Sequence, residues 1–241
     1  MAQVCVIFGA GEYYAGTPVV PTGAYVIAAD GGLDHTRELG IVPDVVVGDF
    51  DSLEGRPPRT DVRPIALPAL KDDPDMLSAL KVGWSAGCRE FHLYGGLGGR
   101  IDHTISGIQL MALLARHGAS GYLYGDGLIV TAITDGRLSF PAHPVPEDGR
   151  MVSAFSHSDV SLGVDEPGLK YELKDSTLTN TVVQGVSNEF RDGVDAAISV
   201  KRGTLIVTFP IEVALPQVSR FHEFGGDIGE LDTEVSKLLV R

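Results

Sequence analysis

Two aspartates stand one residue apart at the end of an apolar run, in the segment VVVGDFDSLE at residues 45–54. In an extended strand, Asp49 and Asp51 would point to the same face, with a separation of about 6–7 Å. At an effective dielectric constant near 20, two carboxylates at that separation repel each other by roughly 2–3 kcal/mol. Two interpretations remain open on this segment alone. The carboxylates, with Ser52, cap a following helix, or they hold a cation between them.

A second acidic cluster occupies the segment LKDDPDMLSAL at residues 70–80. Pro74 suits the first turn of a helix and Asp73 suits its N-cap, which leaves Asp72 and Asp75 beside the helix start. Capping accounts for one or two of these carboxylates and not for all three. Because the formal charge of the chain is already −13, we expect bound Mg²⁺, an ion that takes hard oxygen ligands and bridges to phosphates.

A glycine-rich segment, YGGLGGRIDHT at residues 94–104, separates a strand-like run from a helix-like run. Its four glycines would let backbone N–H groups approach a phosphate, and a helix N-terminus favours negative charge. Arg100 could bind two phosphate oxygens and His103 could donate a further hydrogen bond. The alternative is an ordinary flexible turn in which Asp102 interacts with the helix dipole. The chain contains no GxxxxGK[ST] segment, so this is not a P-loop.

The first half of the chain alternates short apolar runs with helix-like runs up to about Gly127. This order predicts an α/β region with a parallel sheet that is covered on both faces. Ligands of such sheets collect at the carboxyl ends of the strands. The runs end in glycines or carboxylates, namely Gly9, Gly11, Asp30, Gly31, Gly32, Asp49, Asp51 and the glycines of 95–99. We therefore expect the functional site at this edge of the sheet.

The second half of the chain has a different pattern of residue types. Runs such as LIVTAITDGRLSF and DAAISVKRGTLIVTF are rich in β-branched residues, with turn residues at short intervals and no clear helical period. This pattern predicts an all-β region of sandwich or barrel type. We therefore expect two domains, an α/β domain over residues 1–127 and a β-domain with a C-terminal tail over residues 128–241.

Composition limits the function classes. The 241 residues are 44% hydrophobic, enough for a sizeable core. The net charge of −13 argues against nucleic acid or an anionic membrane as the main partner. The two cysteines lack metal-ligand spacing, and no basic N-terminal region or membrane-length apolar run occurs. We expect a cytoplasmic globular protein.

Four segments, AADGG, PDVVVGDFDS, KDDPD and GGLGGRIDHT, follow each other in an order and at a spacing that resemble thiamine pyrophosphokinase, also called thiamine diphosphokinase. Further on, GLKYEL at residues 168–173 and GVSNEF at residues 185–190 resemble the thiamine-binding β-domain of that family. The resemblance extends over about residues 4–209. It implies a Rossmann-like N-terminal domain, a C-terminal β-sandwich, and a homodimer with shared active sites that makes thiamine diphosphate and AMP from thiamine and MgATP.

The resemblance also implies roles for individual residues. Metal binding and catalysis fall on Asp49, Asp51, Asp72 and Asp75, ATP binding falls on Asp30, Gly98, Gly99, Arg100, Asp102 and His103, and thiamine binding falls on Ser187 and Asn188. The chain departs from the family at Pro74, where a threonine is usual. The alternatives are a diphosphokinase for another hydroxymethyl substrate, such as a hydroxymethylpterin, and a regulator that binds nucleotide without turnover.

Overall fold

The structure is a computed structural model, and it describes residues 3–14, 18–49, 62–68, 70–146 and 150–235. The described residues form three helices and thirteen strands. The helices are α1 (Gly32–Glu38), α2 (Asp75–Ser85) and α3 (Ile101–Arg116). The strands are β1 (Gln3–Phe8), β2 (Tyr25–Ala29), β3 (Val45–Gly48), β4 (Arg63–Ala66), β5 (Cys88–Tyr94), β6 (Ser120–Tyr124), β7 (Leu128–Phe140), β8 (Met151–Ser156), β9 (Val160–Asp165), β10 (Ser176–Thr179), β11 (Asn188–Glu189), β12 (Ala196–Pro210) and β13 (Gln217–Arg220).

The chain divides into two compact units. The first contains the described residues of 1–107, 124–126 and 227–241, and the second contains those of 108–123 and 127–226. The boundary after residue 127 that the sequence suggests stays a prediction about domain organisation. The described residues of the C-terminal tail from 227 onward group with the first unit.

The first unit contains five parallel strands in the order β4, β3, β2, β1, β5. The residues of β3 and the last four residues of β1 are fully buried, which explains their continuous apolar runs. Helix α2 packs on this sheet through Ala79, Leu80 and Trp84. Parallel pairing brings the carboxyl ends of the strands to one edge, as the first half of the sequence predicts.

The second unit is built mainly from antiparallel strands. The long strands β7 and β12 pair from Phe140 with Ala196 to Leu128 with Pro210, and β12 also pairs with β8 and β9. Strand β7 coincides with the apolar run LIVTAITDGRLSF of the sequence analysis. Taken unit by unit, the protein is mostly β, with both parallel and antiparallel pairing and few helices. None of the helices in the described ranges is long and apolar enough to cross a lipid bilayer.

Candidate active site

Backbone hydrogen bonds join the loops at the carboxyl edge of the parallel sheet. Gly9 N donates to Tyr94 O at 2.8 Å and Gly11 N donates to Gly95 O at 3.0 Å, so the loops after β1 and β5 lie side by side. Asp30 N donates to Val47 O at 2.8 Å, which fixes the loop after β2 against the end of β3. The glycine-rich and acidic loops that the sequence places at strand ends therefore share one edge.

Asp30 and Asp49 follow neighbouring strands at this edge. Asp30 has a φ of 46°, a left-handed conformation that aspartate tolerates better than most residues, and its carbonyl accepts a hydrogen bond from Leu33 N at 3.1 Å. A methyl group on Gly48 would lie 3.2 Å from Asp30 Cα, so the two strand ends touch. Asp49 comes directly after Gly48, which brings its backbone close to Asp30. Asp51 lies outside the described residues, and so does the predicted pairing of its carboxylate with that of Asp49.

The acidic stretch at the start of α2 differs from the expectation at one point. Pro74 occupies the N-cap and Asp75 is the first helical residue, so the prediction of Asp73 as N-cap is wrong. The carboxylate of Asp73 instead accepts a hydrogen bond from Lys81 Nζ at 2.5 Å, and this ammonium is almost buried. A buried charge needs a counterion, and this requirement outweighs a capping bond at the surface.

A second lysine neutralises part of the same stretch. Lys71 Nζ lies 2.8 Å from Asp75 Oδ1, and the Lys71 side chain is only 7% exposed. Asp72 is exposed at the surface of the loop. Sequence reasoning missed both lysines. The burial of Lys81 could have been predicted from the sequence. Lys81 lies three residues from Ser78 and three from Trp84, which are both buried, and this spacing places it on the buried face of α2.

The site fits a metal ion that arrives with a nucleotide. Mg²⁺ in nucleotide sites is usually held by one or two carboxylates together with the phosphates. Asp30 and Asp49 place such oxygen donors at adjacent strand ends, and Asp73 and Asp75 face lysines. Within the described ranges no group of three or more His, Cys, Asp or Glu side chains is placed to hold a metal ion. These residues therefore suit a shared Mg²⁺ better than an ion held by the protein alone.

The glycine-rich loop after β5 is held in conformations that favour glycine. Gly98 and Gly99 have φ angles of 83° and 60°. A methyl group on Gly98 would overlap the hydroxyl of Tyr14, which itself donates to Glu12 Oε2 at 3.0 Å. Glu12 and Tyr14 therefore lie against this loop, and sequence reasoning missed both. The hydrogen bond with Glu12 raises the pKa of the Tyr14 phenol.

Arg100 and Asp102 form a two-point ion pair at the start of α3. Arg100 Nε donates to Asp102 Oδ1 at 3.1 Å and its terminal nitrogen donates to Oδ2 at 2.5 Å. This pairing raises the pKa of Arg100 and lowers the pKa of Asp102. Asp102 Oδ1 also accepts from the backbone N of His103 at 3.0 Å. Both side chains are exposed, so water screens the pair. An anion with a higher charge can therefore replace Asp102 as the partner of Arg100.

Ser187 and Asn188 lie in the second unit, in a turn that is fixed to β8. Ser187 has a φ of 59°, and its backbone N donates to Ser153 Oγ at 3.1 Å. Two residues earlier, a methyl group on Gly185 would overlap the carbonyl oxygen of Ala154, so only glycine fits there. The turn is therefore held at a fixed distance from the β8 backbone.

The side chain of Asn188 is buried and fully hydrogen-bonded. Its Nδ2 donates to Glu166 Oε2 and to Tyr171 O, both at 2.8 Å. Its Oδ1 accepts from Tyr171 N at 3.0 Å and from Glu189 N at 2.9 Å. All donors and lone pairs of this amide are used within the protein. The thiamine contact that the resemblance implies for Asn188 stays a prediction.

A cavity of about 560 Å³ lies next to this turn, within the second unit. Its wall combines apolar residues, among them Leu173 and Leu178, with Thr177, Ser187 and Glu166. Burial raises the pKa of Glu166. Sequence reasoning missed Glu166, since a single glutamate after an apolar strand gives no signal that the fold buries it.

A parallel sheet with acidic and glycine-rich loops at its carboxyl edge is typical of α/β enzymes that bind nucleotide phosphates. Comparison with known families narrows this class. Residues 19–123 match the family model described as thiamin pyrophosphokinase, catalytic domain. This match supports an enzyme of the thiamine pyrophosphokinase type, which makes thiamine diphosphate from thiamine. The resemblance found in the sequence is confirmed.

Solved structures of the family have the same fold. Thiamine pyrophosphokinase from Bacillus subtilis superposes with a TM-score of 0.75 at 21% identity, covering 88% of this chain and 100% of its own. The enzyme from Candida albicans gives a TM-score of 0.68 at 12% identity, over 88% and 90%. The yeast enzyme gives 0.67 at 13% identity, over 87% and 86%. No curated protein matches the chain.

Proposed function

We propose that this protein transfers the diphosphoryl group of MgATP as one unit to the hydroxyl group of thiamine and releases AMP. The observation that supports this reaction best is the shared edge where Asp30, Asp49 and the glycine-rich loop meet, since it lies in the segment that matches the catalytic-domain family model. An edge that combines oxygen ligands with a glycine-rich loop at the start of a helix suits a polyphosphate and its metal ion.

The proposed reaction is an in-line attack of the thiamine hydroxyl on the β-phosphorus of ATP. Such a transfer needs little covalent help from the protein, so catalysis rests on position and on charge stabilisation. Asp49, Asp51, Asp72 and Asp75 are the proposed catalytic and Mg²⁺-binding residues, and Asp75 would exchange its ion pair with Lys71 for the metal ion. Bound Mg²⁺ would neutralise charge on the phosphates. One of these aspartates would accept the hydroxyl proton.

ATP binding is assigned to Asp30, Gly98, Gly99, Arg100, Asp102 and His103. Arg100 would leave Asp102 and bind phosphate oxygens with the same two-point geometry, which costs little because the ion pair is exposed. His103 stands at the first turn of α3, where the positive end of the helix dipole and the imidazole ring favour an anion. Pro74 leaves the phosphates without the hydroxyl that the family usually supplies.

Thiamine binding is assigned to the second unit. We propose a β-sandwich fold for this unit and a Rossmann-like fold for the first unit. Ser187 would contact the substrate directly, because it lines the cavity beside the turn. Asn188 holds Tyr171 and Glu166 in place through three of its four hydrogen bonds, in addition to any contact of its own with the substrate.

The working unit would be a cytoplasmic homodimer with shared sites. Apolar side chains near the cavity are exposed, including Val183 at 88% and Tyr171 at 59%, and a second copy of the chain would cover them. Subunit exchange between an Asp49→Asn variant and a Val186→Trp variant tests this arrangement. Val186 lines the cavity without the left-handed backbone of Ser187, so tryptophan there blocks the site with less strain.

If the sites are shared, one site of the mixed dimer carries both defects and the other carries none. Activity would then return to up to about half the wild-type level for each mixed dimer. If each chain builds its own site, every site keeps one defect. A lack of recovery after demonstrated subunit exchange would reject the shared site and leave the proposed reaction in place.

Mass spectrometry of the reaction products tests the proposed function. Incubation of the protein with MgATP and thiamine should give thiamine diphosphate and AMP in equal amounts, and excess EDTA should stop the reaction. A parallel incubation with a hydroxymethylpterin tests the other diphosphokinase reaction. Nucleotide binding without any product from either substrate would support the regulator instead.

A further inference from the structure

Glu166 has a buried carboxyl group, and only one of its two oxygens accepts a hydrogen bond from a described residue. The residue is 2% exposed, and Oε2 accepts a hydrogen bond from Asn188 Nδ2 at 2.8 Å. Oε1 is buried and has no hydrogen-bond partner among the described residues. A buried acceptor without a partner costs about 1–3 kcal/mol, and more when it is charged. The fold keeps this group without an internal partner for Oε1, which suggests that a ligand supplies one.

The position of Glu166 indicates what kind of ligand. Glu166 lines the cavity of about 560 Å³ together with Ser187, and this volume is in the usual range for small-molecule sites. Leu173, Leu178 and Tyr171 provide apolar and aromatic surface in the same wall. A flat ring that carries an N–H donor at its edge would match both the apolar wall and the carboxyl oxygen.

We propose that Glu166 is a specificity-determining residue that accepts a hydrogen bond from the amino group on the pyrimidine ring of the substrate. This inference rests on the proposed function. Thiamine has two kinds of hydrogen-bond donor, the hydroxyl group that reacts and the amino group on the pyrimidine ring. The hydroxyl must lie at the phosphates of ATP, so the amino group is the donor that remains for Oε1. The positive thiazolium ring offers no N–H group.

The surroundings of Glu166 make its replacement by glutamine informative. Asn188 Oδ1 is fixed by Tyr171 N and Glu189 N, so its Nδ2 must keep facing residue 166 as a donor. A glutamine at this position must therefore turn its amide oxygen toward Asn188. Its NH₂ group then takes the place of Oε1. This NH₂ group and the amino group of thiamine are both donors, so they cannot hydrogen-bond to each other as Oε1 and the amino group do. The NH₂ group can instead donate to an analogue that carries a carbonyl oxygen at the same ring position.

Steady-state kinetics with two substrates provide the test. Wild type, Glu166→Gln and the control Glu172→Gln are compared with thiamine and with oxythiamine, in which a carbonyl oxygen replaces the ring amino group. Glu172 is exposed and its side chain accepts from Gly168 N, so the control changes the same chemistry outside the cavity wall. We expect Glu166→Gln to lower kcat/KM for thiamine by about 10-fold or more, through KM.

The same variant should raise kcat/KM for oxythiamine relative to thiamine, while the KM for ATP changes by less than about twofold. The Glu172→Gln control should leave the ratio of the two substrates unchanged. Equal losses for both substrates in Glu166→Gln would mean that Glu166 only braces Asn188, and this result would overturn the proposal. If Glu166→Gln does not fold, Glu166→Asp must shift the ratio in the same direction, because the shorter side chain withdraws its oxygen from the amino group.

Failure of the proposed function has a different signature. If wild type and Glu172→Gln make no thiamine diphosphate from MgATP and thiamine, the proposed reaction is rejected. Calorimetric titration with thiamine and oxythiamine then decides the inference by itself. Tighter binding of thiamine by wild type, with loss of this preference in Glu166→Gln, supports it. Equal binding of both compounds by wild type, or no binding of either, overturns it.

Discussion

Replacement of Asn188 by aspartate should destabilise the second unit strongly, although the two side chains have nearly the same shape. Aspartate keeps the acceptor for Tyr171 N and Glu189 N, and it loses the two donors to Glu166 Oε2 and Tyr171 O. Each buried acceptor left without a partner costs about 1–3 kcal/mol, so the pair costs about 2–6 kcal/mol. Repulsion between the new carboxylate and Glu166 adds to this loss.

Urea denaturation at neutral pH, followed by far-UV circular dichroism, measures the change in the free energy of unfolding. Asn180→Asp is the matched control, because Asn180 is exposed and donates a single hydrogen bond to Asp159. The control should change stability by about 1 kcal/mol or less. A loss below about 1 kcal/mol for Asn188→Asp, or a loss no greater than that of the control, would refute the view that this amide organises the cavity wall.

Three further predictions concern charged side chains. Asp49→Asn should lower kcat by about 100-fold or more with an unchanged circular dichroism spectrum, because it weakens charge stabilisation in the transition state; near-normal turnover would count against its assigned role. Lys81→Met should lower the free energy of unfolding in urea by about 3–5 kcal/mol, because it leaves Asp73 unpaired. Adding Asp73→Asn should recover most of this loss. A double variant no more stable than Lys81→Met alone would contradict the ion pair. Burial holds the pKa of Glu166 above its usual value of 4.5 in the folded protein, so stability should fall as pH rises from 4.5 through the folded pKa. The urea midpoints of Glu166→Gln should lack this part of the decline. Parallel curves of midpoint against pH for both proteins would disprove this prediction.

The sequence predicts the elements whose residues are buried on a regular pattern. Strands β1, β2 and β3 appear as apolar runs that end in glycine or aspartate, and β7 matches its predicted run. Strands β4 and β13 were not predicted. Most of their residues are exposed or half-buried, and β4 contains Pro64, so neither shows the apolar pattern of a strand. These strands form because a neighbouring strand offers hydrogen bonds to them.

The site divides in the same way. The placement of Asp30, Asp49 and the glycine-rich loop at one edge was predicted, because a strand end is visible in the sequence and parallel strand ends share an edge. The partners Lys81 and Glu166 were not predicted, because each meets its partner only through the fold. Lys81 meets Asp73 across the start of α2, and Glu166 meets Asn188 across 22 residues of chain. Local capping preference for Asp73 was therefore overridden by the charge that the fold buries beside it.

The most direct test of the central claim follows the β-phosphorus of ATP. The protein is incubated with thiamine, Mg²⁺ and ATP that carries a radioactive label only at the β-phosphate, and the products are separated. Transfer of the diphosphoryl group as one unit places the label in thiamine diphosphate and leaves AMP unlabelled. Label that stays in ADP, with thiamine monophosphate or free phosphate as the other product, would contradict the proposed reaction.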